Sequence, residues 1–275
     1  MANEKLTRDE QREAARAKAK AIREQQKRGE TRRKAIWISA ISLVSVAAIV
    51  WVVAIVTGAS PSPVQGLKVP AVAVSNGGFA LGSDLKPVSD VSKIDTNIPK
   101  IILYEDPQCP ICKGFEAPNM PVIQDLVKSG KYSLELHPIS FLDGNSPNEY
   151  SSRAASAIAC VAQYSPDNFM DFHTAMFQQQ PQENTLGPDN NALAKLATTN
   201  GVTSSQATAC IKNGDYAEWA KKLGTDIWTG KVAESNLKFG GTPFVLVNGQ
   251  QYRGDLSQPA AFVQWLQTVA PVPAS

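Results

Sequence analysis

Residues 101–112 read Ile-Ile-Leu-Tyr-Glu-Asp-Pro-Gln-Cys-Pro-Ile-Cys. The apolar run Ile101–Tyr104 reads as a buried strand, Asp106-Pro107 as a turn, and the residues after Cys109 carry helical spacing. Two cysteines with two residues between them at such a junction come within bonding reach across one helical turn. Cys109 then lies at the helix N-terminus, where unpaired backbone N–H groups and the helix dipole favour a thiolate. Pro110 suits the first helical position, because the N–H it lacks would be an orphan there. A thiolate at Cys109 is both the nucleophile and the good leaving group of thiol–disulfide exchange. Zinc sites use the same C-x-x-C spacing, so this stretch alone leaves that reading open.

A second stretch bears on the choice. Gly240-Gly241-Thr242-Pro243 precedes an apolar strand, Phe244–Val247, and a turn at Asn248-Gly249. Read by itself, Pro243 is a loop proline entering a strand. The stretch also resembles the Thr-Pro loop of the thioredoxin superfamily. That resemblance implies a cis proline facing the active-site cysteines, and a preceding residue whose backbone hydrogen-bonds an extended substrate. The order of the two motifs favours a redox centre over a metal site.

Charge and hydropathy divide the chain. Residues 1–35 hold 12 Lys or Arg and 6 Asp or Glu, a net +6. Residues 36–56 carry no charge at all, with Trp37 and Trp51 near the two ends. The remaining residues hold 15 of the chain's 27 basic and 19 of its 25 acidic side chains, so the overall +2 conceals an acidic C-terminal part. An uncharged run of this length spans a bilayer as a helix, and the basic flank sets the N-terminus in the cytoplasm. A cleaved signal peptide is the other reading, but its charged and apolar regions would both be unusually long. Either reading exports the C-terminal part. The expected organisation is a basic cytoplasmic segment 1–35, a transmembrane helix 36–56 and a linker 57–66. After these come a first thioredoxin-like part 67–146, a helical insertion 147–231 and a second thioredoxin-like part 232–275. The basic segment could touch anionic lipid, and nothing points to nucleic acid.

All four cysteines, Cys109, Cys112, Cys160 and Cys210, come after the apolar run. An even count in an exported domain suggests two disulfides; if Cys109 pairs with Cys112, then Cys160 pairs with Cys210. Such a structural pair would close a loop of about 50 residues, for about 4 kcal/mol on the chain-entropy estimate.

The spacing predicts a hairpin over Val69–Gly82, turning at Asn76-Gly77-Gly78. It predicts a helix from Cys109 to about Ser129, kinked near Pro118 and Pro121, and a strand over Tyr132–Phe141. Helices are expected at Glu149–Gln163, Asp167–Gln178, Asn190–Thr199, Ser204–Asn213 and Tyr216–Trp228. Strands are expected at Pro243–Val247 and Gln251–Arg253, then a helix at Gln258–Val269. The expected fold class is α/β: a thioredoxin fold with a helical insertion, preceded by a single transmembrane helix.

With this order in place, the chain resembles the DsbA-like thiol–disulfide oxidoreductases, in particular membrane-anchored members from actinobacteria. The resemblance covers roughly residues 70–270. It rests on Asp106–Cys112, the insertion with its extra cysteine pair, and Thr242-Pro243 with the Val-Asn-Gly beyond it. It implies oxidation of thiols in unfolded exported proteins and reoxidation by a quinone-linked membrane partner of the DsbB or VKOR type. It needs no organic cofactor and no metal. Cys109 would attack, Cys112 would resolve, and Thr242 and Pro243 would line the substrate groove. Pro110 and Ile111 would tune the couple. The strongest oxidants of the family carry Pro-His between the cysteines; with Ile111 in place of His, a higher Cys109 pKa and a less oxidising couple are expected. A membrane-anchored reductase or isomerase, and a non-catalytic chaperone or metal-delivery module, are the competing functions.

Glu105 or Asp106 could carry the proton of Cys112, or Asp106-Pro107 could simply make the turn. His173, among aromatic residues at helical spacing, reads as packing, and Gln178-Gln179-Gln180 as a solvated edge.

Overall fold

The computed structural model describes residues 66–230 and 232–272. The apolar run 36–56 lies outside them, and no helix among the described residues is long and apolar enough to cross a membrane.

Five strands form one mixed sheet: β1 (Phe79–Leu81), β2 (Lys100–Glu105), β3 (Ser133–Pro138), β4 (Phe244–Val247) and β5 (Gln250–Gln251), in the order β1-β3-β2-β4-β5. β2 is central. It pairs parallel with β3 and antiparallel with β4, with Ile101 opposite both Leu134 and Val247. Alternation along β2 decides which face each side chain meets. Ile101 and Leu103 enter the larger core with Phe115, Ile123 and Phe262. Ile102 and Tyr104 enter a smaller core with Ile139, Ile227 and Phe244. Both faces of β2 are therefore covered, which is why its sequence reads as a continuous apolar run.

Between β2 and β3 lies α1 (Pro110–Lys128). Pro118 and Pro121 both sit inside this one helix. Asn119 Nδ2 donates to the Phe115 carbonyl at 2.9 Å and to that of Leu256 at 2.7 Å, tying the proline-bearing turn to the segment before α7 (Pro259–Val269). The insertion between β3 and β4 holds α2 (Tyr150–Tyr164), α3 (Phe169–Gln178), α4 (Asn190–Thr199), α5 (Ser205–Asn213) and α6 (Ala217–Thr229). Asp189 caps α4 and Ser204 caps α5, each side chain accepting the N–H three residues on, as N-cap residues do.

The expected hairpin over Val69–Gly82 does not form. Residues 70–78 make turns, closed by Ala73 N–H to Pro70 O and Gly77 N–H to Val74 O. Phe79 and Leu81 pair instead with Leu136 and Leu134 of β3. Burying those two side chains against β3 stabilises more than a lone two-stranded hairpin could, and Pro70 lacks the N–H that a hairpin ladder there would need. The last strand also falls earlier than expected, at Gln250–Gln251.

Candidate active site

Cys109 is the N-cap of α1 and Pro110 its first residue. The sulfur is nearly buried, and Cys112, one turn deeper, is wholly so. Both are free thiols. Cys109 Sγ lies 3.4 Å from the Thr242 carbonyl oxygen, so β2–α1 and the loop before β4 meet at this atom. The Thr242–Pro243 peptide is cis. Leu142 and Phe177 pack against the two sulfurs, whereas Ile111 is exposed.

Hydrogen bonding from Cys112 lowers the Cys109 thiol to about 6, against desolvation; the Thr242 side chain and the backbone N–H groups of Cys112 and Ile111 lower it further. First cysteines of such motifs span roughly 3.5 to 7. Burial pushes Cys112 the other way, well above its ordinary value, and the charges of Cys109 and Glu105 add to this. One sulfur is thus an anion at neutral pH and the other a thiol, which is the division of labour that exchange requires.

The two acids before the motif part company. Asp106 is a clamp. Its Oδ1 accepts the Gln108 N–H and the Ser151 hydroxyl, both at 2.8 Å, and its Oδ2 accepts the N–H groups of Phe141 and Leu142 at 2.7 and 2.8 Å. Burial raises Asp106 to about 7 against these four bonds. Its geometry is that of a turn-maker which also ties the loop after β3 and helix α2 to the cysteine loop. Glu105, also sealed from water, is raised to about 8, chiefly by burial.

Sequence reasoning missed four residues here. His173 is no mere packing residue: its Nε2 hydrogen-bonds Glu105 Oε1. Glu116, four residues after Cys112, lies beside both, with its carboxyl raised by burial and by Glu105. Donor atoms of Glu105, Glu116 and His173 fall within 4.8 Å of one another, a spacing that could hold a metal ion. Glu105 and His173 are already bonded to each other, however, so the set reads as a hydrogen-bonded group. Gln180 is not a solvated edge, since its Nε2 donates to the carbonyls of Pro107 and Cys109 at 3.0 and 2.9 Å. Gln108, fully buried, donates to the Asn145 carbonyl and accepts from Ser151. Only Glu116 left a local signal, its i,i+4 offset from Cys112 on one helix face. Away from the site, Cys160 of α2 and Cys210 of α5 form a disulfide.

Residues 96–268 match the family model described as thioredoxin. The chain belongs to the thioredoxin family. Within that family it is similar to the solved structure of DsbA from Mycobacterium tuberculosis, at 31% identity and a TM-score of 0.57, covering 70% of this chain and 92% of that one. It is 26% identical to disulfide bond formation protein D of Bacillus subtilis over 169 residues, 61% of this chain and 66% of the relative. It is also 32% identical to serine/threonine-protein kinase PknE of M. tuberculosis over 177 residues, 62% of this chain. The match spans 29% of that kinase's length. The thioredoxin-family chain is therefore DsbA-like, a relative of thiol–disulfide oxidoreductases.

Proposed function

We propose that this chain is an extracytoplasmic thiol–disulfide oxidoreductase that introduces disulfides into exported proteins through Cys109 and Cys112. The observation that carries the reading is the unequal pair of sulfurs: a thiolate at a helix N-terminus beside Thr242-Pro243 that keeps a small exposed fraction, and a wholly buried thiol behind it. A substrate thiolate attacks Cys109 and displaces Cys112. The substrate's second thiolate then displaces Cys109 and closes the substrate disulfide. Stabilising the Cys109 thiolate stabilises the reduced enzyme and so favours donation of the disulfide. Thr242 and Pro243 line the groove, Pro110 and Ile111 tune the couple, and Glu105 exchanges the proton of Cys112.

The domain organisation and membrane location are part of the same proposal. The uncharged run 36–56 behind a net +6 segment supports a single span, N-terminus in the cytoplasm, with 57–66 as a tether for the catalytic domain. Its partners would be unfolded exported proteins with cysteines and a quinone-linked reoxidant of the DsbB or VKOR type.

The reduction potential of the Cys109–Cys112 couple in glutathione buffers tests the direction of flux. A value of about −120 to −180 mV fits a disulfide donor, and one of about −270 mV turns the function toward reduction. Tight, stoichiometric zinc or copper binding by the reduced form, without thiol oxidation, would favour a metal carrier instead.

A further inference from the structure

Gln180 has no assigned part in the exchange, yet its side chain reaches the backbone of Cys109. It lies just beyond the end of α3, and its Nε2 donates to the Pro107 and Cys109 carbonyls at 3.0 and 2.9 Å. The same end of α3 meets the first turn of α1 elsewhere too. Phe177 packs against both sulfurs, and Lys113 Nζ donates to the Gln178 carbonyl at 3.1 Å. Together these contacts fix how this end of the insertion sits on the cysteine loop. The Gln180 bonds fall where they bear on the sulfur. In a helix continued one turn back, the Ile111 N–H would donate to the Pro107 carbonyl and the Cys112 N–H to that of Gln108. Among the described residues no backbone N–H donates to either carbonyl. The Ile111 and Cys112 N–H groups act on Cys109 Sγ instead. A carbonyl short of a partner at a buried residue draws the nearest free N–H, so this arrangement needs another donor on Pro107. Gln180 supplies it. One nitrogen bonded to both carbonyls also fixes the turn between them, with Cys109 extended at φ −74° and ψ 116°. From that backbone an N-cap side chain meets the first free N–H groups of its helix.

We propose that Gln180 is a positioning residue for Cys109: by holding the Pro107 and Cys109 carbonyls, it leaves the Ile111 and Cys112 N–H groups to the Cys109 sulfur. The inference rests on the exchange reading above and deepens it, since it gives the helical insertion a part in the chemistry. In the second exchange the substrate's own sulfur–sulfur bond forms and its bond to Cys109 Sγ breaks. The electron pair of that broken bond leaves on Cys109 Sγ. Every donor kept on this sulfur makes it a better leaving group. The titratable groups whose charge is felt at Cys109 are Cys112 and Glu105. Among the described residues the Gln180 carboxamide donates to neither, only to the two carbonyls. Changing Gln180 therefore alters the loop carbonyls and leaves both of those groups in place.

The test uses the full chain in detergent. Gln180→Met keeps the length of the side chain and removes the donor. Gln180→Lys keeps a donor and adds a positive charge. The pH midpoint of Cys109 alkylation should rise by more than about half a unit in Gln180→Met. In Gln180→Lys it should stay at or below the wild-type value. The equilibrium constant for oxidising glutathione should fall by about threefold or more in Gln180→Met, following the lost thiolate. If Gln180→Met fails to fold, Gln180→Ala, which also lacks the donor, decides by the same two readings. The proposal is overturned by a folded variant without the donor whose midpoint matches the wild type. It is equally overturned if Gln180→Met and Gln180→Lys raise the midpoint alike, as lost packing alone would. Failure of the exchange reading looks different: Cys109→Ser would keep its turnover, whatever the midpoints of the Gln180 variants.

Discussion

At the residue scale, reactivity at Cys109 stems from what donates to it. Hydrogen bonding from Cys112 opposes desolvation and brings the thiol to about 6, so the thiolate is present above that pH and is lost as pH falls through it. Alkylation of Cys109 by iodoacetamide should therefore reach half its plateau near pH 6 and drop about tenfold per unit below. A midpoint at the ordinary thiol value would show that the helix N-terminus does not stabilise the anion. Cys112 should stay unmodified across the same range, because burial holds it as a thiol. Asp106 gives the second prediction. Ser151→Ala removes a hydroxyl that bonds both Asp106 Oδ1 and Gln108 Oε1. Leaving a buried acceptor short of a donor costs about 1–3 kcal/mol. Thermal melting should register that loss, and an unchanged Tm would mean the clamp holds with three donors.

At the element scale, α6 is docked as closely as backbone allows. Ser140 Oγ donates to the Ala220 carbonyl at 2.9 Å, and a Cβ at Gly224 would overlap the Ser140 carbonyl oxygen. In an open helix, Gly→Ala stabilises by about 1 kcal/mol. Here overpacking of about 1–3 kcal/mol opposes it, so Gly224→Ala should destabilise. A raised Tm would show that the helix can retreat. The same distinction between local and distant causes explains what could be read in advance. Helix α4 occupies the residues its spacing and cap predict, since both signals are local. The βαβ core was legible for the same reason, and the Thr-Pro loop through its resemblance to that of the thioredoxin superfamily. The hairpin was misread because Phe79 and Leu81 find their partners in β3, more than fifty residues on. His173 and Gln180 were misread because their partners lie 68 and 71 residues away, where no local periodicity reports them.

At the scale of the whole molecule, the insertion shares one continuous core with the thioredoxin frame and is stapled within itself by a disulfide. Cys160–Cys210 joins α2 to α5, and α2 also carries Ser151 to the Asp106 clamp. Opening that disulfide in Cys160→Ser should lower stability by about 4 kcal/mol on the loop-entropy estimate. Guanidinium unfolding measures it, and the folded variant should keep its Cys109 reactivity. Loss of reactivity without loss of stability would make the second pair a redox partner.

That internal bond has a consequence for how the protein comes into being. Making it removes two electrons from a newly synthesised chain, which is the transformation proposed above for the Cys109–Cys112 pair. Every finished molecule thus contains one copy of its own product. On that proposal a freshly made chain can mature at the expense of an older, oxidised one, and with an external disulfide oxidant taking up the electrons a population started from wholly reduced chains would ripen slowly at first and faster as finished molecules accumulate.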